Sequence, residues 1–79
     1  MKIQKIGKFH VLDRVNYFEE PMPEKIMINF DLVFAIEGRE ECFPNSCYIT
    51  LPSHTTYVGY KAKDLIDYIA NERRQNDQV

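Results

Sequence analysis

The stretch that decides the fold is "KIMINFDLVFAIE", residues 25–37. Its even positions are all apolar, whereas its odd positions mix charged, polar and apolar residues. A period of two is typical of a strand with one face on a core. We therefore expect one strand over residues 25–37, longer than the roughly five or six residues that are common. The predicted core consists of its even face and the helix residues that would meet it: Ile26, Ile28, Phe30, Leu32, Phe34, Leu65, Ile66 and Ile69.

The segments around this strand are also typical of a sheet. "IQKIGKFHVL", residues 3–12, and "SCYITL", residues 46–51, are rich in strand-forming residues. "EEPMPE", residues 19–24, predicts an irregular connector, because its two prolines remove backbone donors. Gly38-Arg39 predicts a hairpin turn, since glycine can adopt a positive φ.

From Lys61 the apolar residues recur at helical spacing, as at Ala62, Leu65 and Ile69. We expect an α+β fold in which an antiparallel sheet of three to four strands carries one C-terminal helix on one face. Residues 1–74 form a single small domain in this prediction. Residues 75–79 bury nothing and are expected to fray.

The charge of the chain is uneven around a net value of −2. Residues 1–16 are basic and residues 17–45 are acidic. An acidic chain is a poor general binder of nucleic acid, because phosphate contacts supply most of that affinity. No apolar run approaches the length of a membrane span or a signal peptide, so we expect a cytoplasmic protein without a membrane partner.

Both cysteines lie in "CFPNSC", residues 42–47. If residues 43–46 form a turn, Cys42 and Cys47 face each other on paired strands, about 4.5–5.5 Å apart at Cα, which permits a disulfide. A reducing cytosol favours free thiols instead. Zinc could use His10 and His54 as well, but the order His-Cys-Cys-His matches no finger spacing. We expect free thiols, no metal and no cofactor.

Catalysis is the least favoured class of function. Ser53-His54 is the one pair that suggests a nucleophile and a base. Adjacent residues rarely present a hydroxyl correctly to the neighbouring imidazole, and no third member is indicated. The sequence therefore favours a protein that is not an enzyme.

Five residues are candidates for contact with a protein partner: Glu37, Glu40, Glu41, Tyr48 and Tyr57. The glutamates could present a negative surface to a basic partner, or could simply be solubilising loop charge. Tyrosine is enriched in interfaces but is also common in strands. The expected function is a small protein-binding module whose partner the sequence does not identify.

Nucleic-acid binding is the alternative function. "GYKAKDL", residues 59–65, places Lys61 and Lys63 at a helix start, where free N–H groups can also hold a phosphate. The basic N-terminal arm, residues 2–14, could add to this surface. The lysines resemble those at a helix start in double-stranded RNA-binding domains, although the first helix of that domain is missing here.

The first half of the chain carries a second resemblance. "KIGKFHVL", "NYF" and "PEKI", within residues 5–26, resemble short accessory proteins of temperate phages and prophages. The resemblance implies an intracellular protein that modulates or inhibits a host protein complex by binding to it. It carries over no site residue.

A homodimer through the sheet is a further expectation. The long strand would leave part of an edge open, and a face with Met27, Val33 and Ala35 would stay uncovered by one helix. Charges on that face, such as Asp31 and Glu37, argue for a monomer. The sequence does not decide between these alternatives.

Overall fold

The computed structural model of the chain describes residues 2–77. The strands are β1 (Gln4–Ile6), β2 (Phe9–Val15), β3 (Pro21–Ile28), β4 (Ala35–Gly38), β5 (Cys47–Thr50) and β6 (Thr55–Val58), followed by the helix α1 (Ala62–Asp77). Every strand pairing is antiparallel. The predicted α+β class, the antiparallel sheet and the single C-terminal helix are confirmed. Within residues 2–77 the sheet has six strands rather than the three to four expected.

β2 is the strand on which the sheet is organised. Val11 pairs with Gln4 of β1 on one side and with Met27 of β3 on the other. Further along β2, Arg14 pairs with Val58 of β6. β5 and β4 follow, which gives the order β1-β2-β6-β5-β4 with β3 on the second edge of β2.

The prediction of one strand over residues 25–37 is wrong. β3 ends at Ile28, and a 3-10 turn at Phe30–Leu32 separates it from β4. The side chain of Asn29 accepts a hydrogen bond from the backbone N–H of Asp31 at 3.0 Å. Such local bonds offer the backbone an alternative to the ladder of a sheet, so the chain turns although its apolar alternation continues.

This turn changes which apolar residues reach the core. Phe30 is only 7% exposed, whereas Phe34 is 73% exposed. Among the predicted core residues, Ile28, Phe30 and Leu65 are buried, while Ile26 and Ile69 are half-buried. Leu32, Phe34 and Ile66 are exposed, so their assignment to the core is wrong. A period of two holds only while the backbone stays extended.

The core lies between α1 and one face of the sheet. Its most deeply buried side chains are Leu12, Cys47, Ile49, Val58 and Leu65. Four of them come from β2, β5 and β6. These strands, and not residues 25–37, therefore supply most of the core.

The predicted connector at residues 19–24 is also wrong in part, since β3 begins at Pro21. The side-chain oxygen of Asn16 accepts hydrogen bonds from the N–H groups of Phe18 and Glu20, which closes a tight turn. Glu19 takes a positive φ of 66° in this turn. β3 pairs only with β2 among the described residues, and an edge strand can accommodate prolines because half of its donors need no partner.

Residues 3–12 form a hairpin rather than one strand. Gly7 adopts a φ of 60° between β1 and β2. His10 of β2 is buried, although its side chain is polar. Its Nδ1 lies 2.8 Å from the hydroxyl of Tyr68, and its ring stacks on Phe30 at 4.4 Å. The histidine therefore joins β2 to α1.

Burial of His10 predicts a loss of stability in mild acid. Desolvation lowers the pKa of His10 below its ordinary value of 6.5, and Lys5 acts in the same direction while Glu72 opposes it. The unfolded chain binds the proton more tightly, so the stabilisation is complete above about pH 6.5 and is lost as the pH falls towards the lower folded value. We expect the urea midpoint to fall between about pH 7.5 and pH 5.5, and to fall less in His10→Gln.

His54→Gln is the matched control for this prediction, because His54 is exposed. The slope of stability against pH should survive in that variant. An equal slope in wild type and His10→Gln would contradict the prediction.

The carboxy-terminal part of the chain continues α1 through residue 77, so residues 75–77 of the predicted tail are helical. Residues 78–79 of that tail lie outside the described residues. Fraying of the tail, and the domain limits 1–74, stay predictions. Between residues 2 and 77, no helix is both long and apolar enough to span a membrane.

Candidate protein-binding surface on the uncovered face of the sheet

α1 covers one face of the sheet, and the other face of β4–β6 carries three of the predicted contact residues side by side. Glu37 of β4 pairs with Tyr48 of β5, and Tyr48 pairs with Tyr57 of β6. The hydroxyl of Tyr48 donates a hydrogen bond to Glu37, which raises the pKa of Tyr48. Successive side chains of a strand point to opposite faces of the sheet. Ile49 and Val58, which follow the two tyrosines in sequence, are buried under the helix, so the tyrosines lie on the uncovered face.

Arg39 lies at the end of this row and is surrounded by aromatic rings. Its guanidinium carbon is 4.3 Å from the ring centre of Phe43, 4.4 Å from that of Tyr57 and 4.8 Å from that of Tyr17. Its Nη2 also donates to the backbone oxygen of Tyr17 at 2.5 Å. A cation over several rings is attracted by each of their quadrupoles. We call Tyr17, Arg39, Phe43, Tyr48 and Tyr57 the aromatic cluster.

The rings of the aromatic cluster also contact one another. Tyr17 lies 5.6 Å from Phe43 and 6.1 Å from Tyr57, and Tyr48 lies 6.3 Å from Tyr57, all at steep angles. Steep edge-to-face contacts at these distances are favourable. Phe18 extends the cluster at 5.4 Å from Tyr17 and is largely exposed. The cluster is therefore a mainly aromatic surface that is held by contacts among its own residues and is partly open to solvent.

Two loops are fixed together beneath this surface. The N–H of Asn45, in the loop between β4 and β5, donates to the carboxylate of Glu19 at 2.6 Å. Arg39 binds the turn between β2 and β3 through Tyr17, as described above. Tyr17, Arg39 and Phe43 were not predicted as contact residues. Tyr17 lies 22 residues before Arg39 in the chain, so no local spacing could have indicated that contact.

Carboxylates form the rim of the aromatic cluster. Glu37 is exposed at the end of β4, and Glu40 and Glu41 follow Arg39 in an exposed part of the loop. The N–H of Phe43 donates to the backbone oxygen of Glu40 at 2.9 Å, which folds this part of the loop back towards the cluster. Three of the five residues predicted for partner contact, Glu37, Tyr48 and Tyr57, thus form one row. The other two, Glu40 and Glu41, lie between Arg39 and Phe43 in the sequence.

Cys42 and Cys47 do not face each other across paired strands, which is the arrangement that would have permitted a disulfide. Cys47 pairs with Gly38 and Val58 and is fully buried, whereas Cys42 is exposed in the loop. Burial raises the pKa of Cys47 to about 11, so this thiol stays protonated at neutral pH. Both cysteines are free thiols in this structure. That the thiols stay reduced in the cell remains a prediction.

The remaining candidate residues are those considered for metal binding and for catalysis. Residues 2–77 contain no cluster of three or more His, Cys, Asp or Glu side chains that could hold a metal. Ser53 Oγ lies 2.8 Å from His54 Nδ1, with both residues exposed after β5. Within the described part of the chain, no carboxylate hydrogen-bonds to His54. The absence of enzymatic activity stays a prediction.

The basic residues of the nucleic-acid alternative lie in two separate places. Lys61 and Lys63 are exposed at the N-terminal end of α1. Lys5 of the basic arm pairs with Glu72 at 2.9 Å, near the other end of the helix. At about 1.5 Å per residue, residues 61 and 72 are separated by roughly 16 Å along the helix axis. Lys61 also shares its groove of about 660 Å³ with Asp64 and Asp67, which oppose an anion there.

Comparisons of the chain with protein-family models, with curated proteins and with solved structures found no match.

Proposed function

We propose that this protein is a binding module that contacts another protein through the aromatic cluster. The observation that carries the proposal is the position of Arg39 among three rings on the sheet face that α1 leaves uncovered. Tyrosine and arginine are the residue types most enriched among those that dominate binding energy. Their arrangement here is supported by strand pairing and by loop hydrogen bonds. Little conformational entropy would therefore be lost on binding.

The rim indicates the charge of the partner. Glu37 accepts a hydrogen bond from Tyr48, and the exposed Glu40 and Glu41 lie between Arg39 and Phe43 in the sequence. Arg39 is the cation among the rings. Complementary potentials favour association and select the partner. We infer a partner surface with apolar groups at its centre and lysines or arginines around them.

A single-stranded nucleic acid could in principle stack on such rings, since aromatic residues on a sheet face bind bases in several RNA-binding domains. The rim argues against this alternative. Its carboxylates repel phosphates, and the guanidinium of Arg39 is already bonded to the Tyr17 oxygen and to Ser46 at 3.4 Å. Phosphate contacts supply most of the affinity for nucleic acid, and this surface offers few.

Photo-crosslinking tests the proposal. A photoreactive phenylalanine analogue in place of Tyr48 should crosslink to a discrete protein in a lysate of the cell that makes this chain. The same analogue in place of Phe9, a partly exposed residue of the β1–β2 hairpin, is the matched control and should give no such product. Tyr57→Ala, introduced beside the analogue, should reduce the yield at least about tenfold, as for a residue that dominates binding.

Two results would count against this proposal. Equal crosslinking from both positions would show non-specific contact. A crosslinked product that ribonuclease or deoxyribonuclease removes would favour the nucleic-acid alternative.

The narrower parts of the expected function stay predictions. They are the phage or prophage origin, the inhibition of a host protein complex and the cytoplasmic location. The lack of enzymatic activity also stays a prediction.

A further inference from the structure

β4 is an open edge of the sheet. It ends the strand order and, within residues 2–77, pairs only with β5. An edge strand presents unpaired N–H and C=O groups to which another strand can add. Two exposed apolar residues, Phe34 next to β4 and Ile66 on α1, line the same groove at this edge. The isolated chain thus leaves both backbone and apolar groups without partners at one place.

An apolar groove of about 260 Å³ runs between β4 and α1. Phe34 and Ile36 line it from the strand side, and Ile66, Ile69 and Arg73 line it from the helix side. The helix residues are three and four positions apart, so they form one stripe along α1. A strand that paired with β4 would therefore also contact this stripe.

We propose that β4 pairs with β4 of a second copy of this chain, antiparallel, about a two-fold axis at Ile36. Opposite residues of an antiparallel pair point to the same face of the sheet. A two-fold axis that preserves the faces must therefore pass through a residue and not between two. With the axis at Ile36, Phe34 of each copy lies opposite Gly38 of the other.

The space at Gly38 fits this register. Gly38 pairs with Cys47 on the face that α1 covers, and alternation places Phe34 on the same face. A Cβ added to Gly38 would meet only the Cβ of Ala62, at 3.9 Å. Because Gly38 has no side chain, the ring of Phe34 from the second copy can cover its backbone at the edge of the sheet, beside Ala62. Aromatic side chains stabilise edge glycines in this way.

The other face of β4 is also compatible with a second copy. In this register Ala35 lies opposite Glu37, so the two Glu37 carboxylates are not directly opposed. A single strand thus supplies the protruding ring and the gap that receives it, which is the self-complementarity that a two-fold interface requires. This match favours a second copy over a foreign strand.

Light scattering coupled to size exclusion tests the dimer. Between about 10 µM and about 1 mM, the mass should rise from that of the 9.4 kDa chain to twice that value. Phe34→Lys should remain a monomer throughout. Phe18→Lys is the matched control, since Phe18 is 67% exposed against 73% for Phe34, and this variant should still dimerise. A wild-type monomer at every concentration, or a dimer of Phe34→Lys, would overturn the proposal.

Disulfide trapping tests the register independently of Phe34. Ala35→Cys with Glu37→Cys, in a Cys42→Ser background, should give a covalent dimer on oxidation, because opposite residues lie about 4.5–5.5 Å apart at Cα. Ala35→Cys alone in the same background should not crosslink. The absence of a covalent dimer from the double substitution would overturn the register. Both experiments use the isolated chain, so their outcome is independent of the proposed partner.

Discussion

Phe30→Ala should lower the free energy of unfolding by about 3–5 kcal/mol, the usual cost of truncating a buried phenylalanine. Phe30 packs in the core, stacks on His10 at 4.4 Å and contacts Tyr68 edge-on at 6.0 Å. A domain of this size has a total stability near the low end of about 5–15 kcal/mol. We therefore expect the variant to be largely unfolded at 37 °C, as measured by circular dichroism and urea denaturation.

Leu32→Ala is the matched control for Phe30→Ala. Leu32 lies two residues away and would share a face with Phe30 in a continuous strand, but the 3-10 turn leaves it exposed. We expect a change within about 0.5 kcal/mol. Similar losses in the two variants would indicate that Phe30 and Leu32 lie on the same face of one long strand, which would contradict the fold. If Phe30→Ala does not fold, Phe30→Leu removes less volume and gives a smaller loss that can be measured.

Arg39→Ala should destabilise the protein by about 2 kcal/mol, although arginine is usually a surface residue of little consequence. The side chain contacts three rings, each contact being worth about 0.5–1 kcal/mol, and bonds the Tyr17 oxygen. Its loss also removes one of the two links between the β2–β3 turn and the β4–β5 loop, the other being the hydrogen bond from Asn45 to Glu19. Urea denaturation gives the energy, and proton NMR should show Tyr17 and Tyr57 ring resonances that move together.

Arg39→Lys distinguishes the planar guanidinium from its charge. Lysine keeps the charge but cannot stack flat on the rings or present the same fork of donors, so we expect it to recover less than half of the loss. Arg74→Ala, at an exposed position near the end of α1, should change stability by no more than about 0.5 kcal/mol. A loss at Arg74 as large as that at Arg39 would attribute the effect to net charge and not to the aromatic cluster.

The candidate surface was predictable only in part. Glu37, Tyr48 and Tyr57 were identified from residue type, and strand pairing places them in one row. Tyr17 and Phe43 were not identified, because they join the row only when Arg39 connects two loops. Residue type is a property of single positions, whereas a binding surface is a property of segments that are distant in the chain.

Local chemistry by itself determined the class of the fold. The helical period after residue 61 predicts α1, since an amphipathic stripe needs only residues on successive turns. Alternation around Cys47 and Ile49 predicts β5 in the same way. These signals depend on neighbours a few positions apart, so no knowledge of the tertiary structure is needed to interpret them.

Tertiary structure alone decided where residues 25–37 leave the sheet and which side chains form the core. The alternation of apolar residues continues through Asn29, but the turn that its local hydrogen bond permits places Phe30 against His10 and Tyr68, which are distant in the chain. His10 is a polar residue of β2, yet Tyr68 and Phe30 make its burial favourable. In both cases the outcome depends on which hydrogen bonds and packing partners compensate for lost hydration, and those partners are fixed only when distant segments meet.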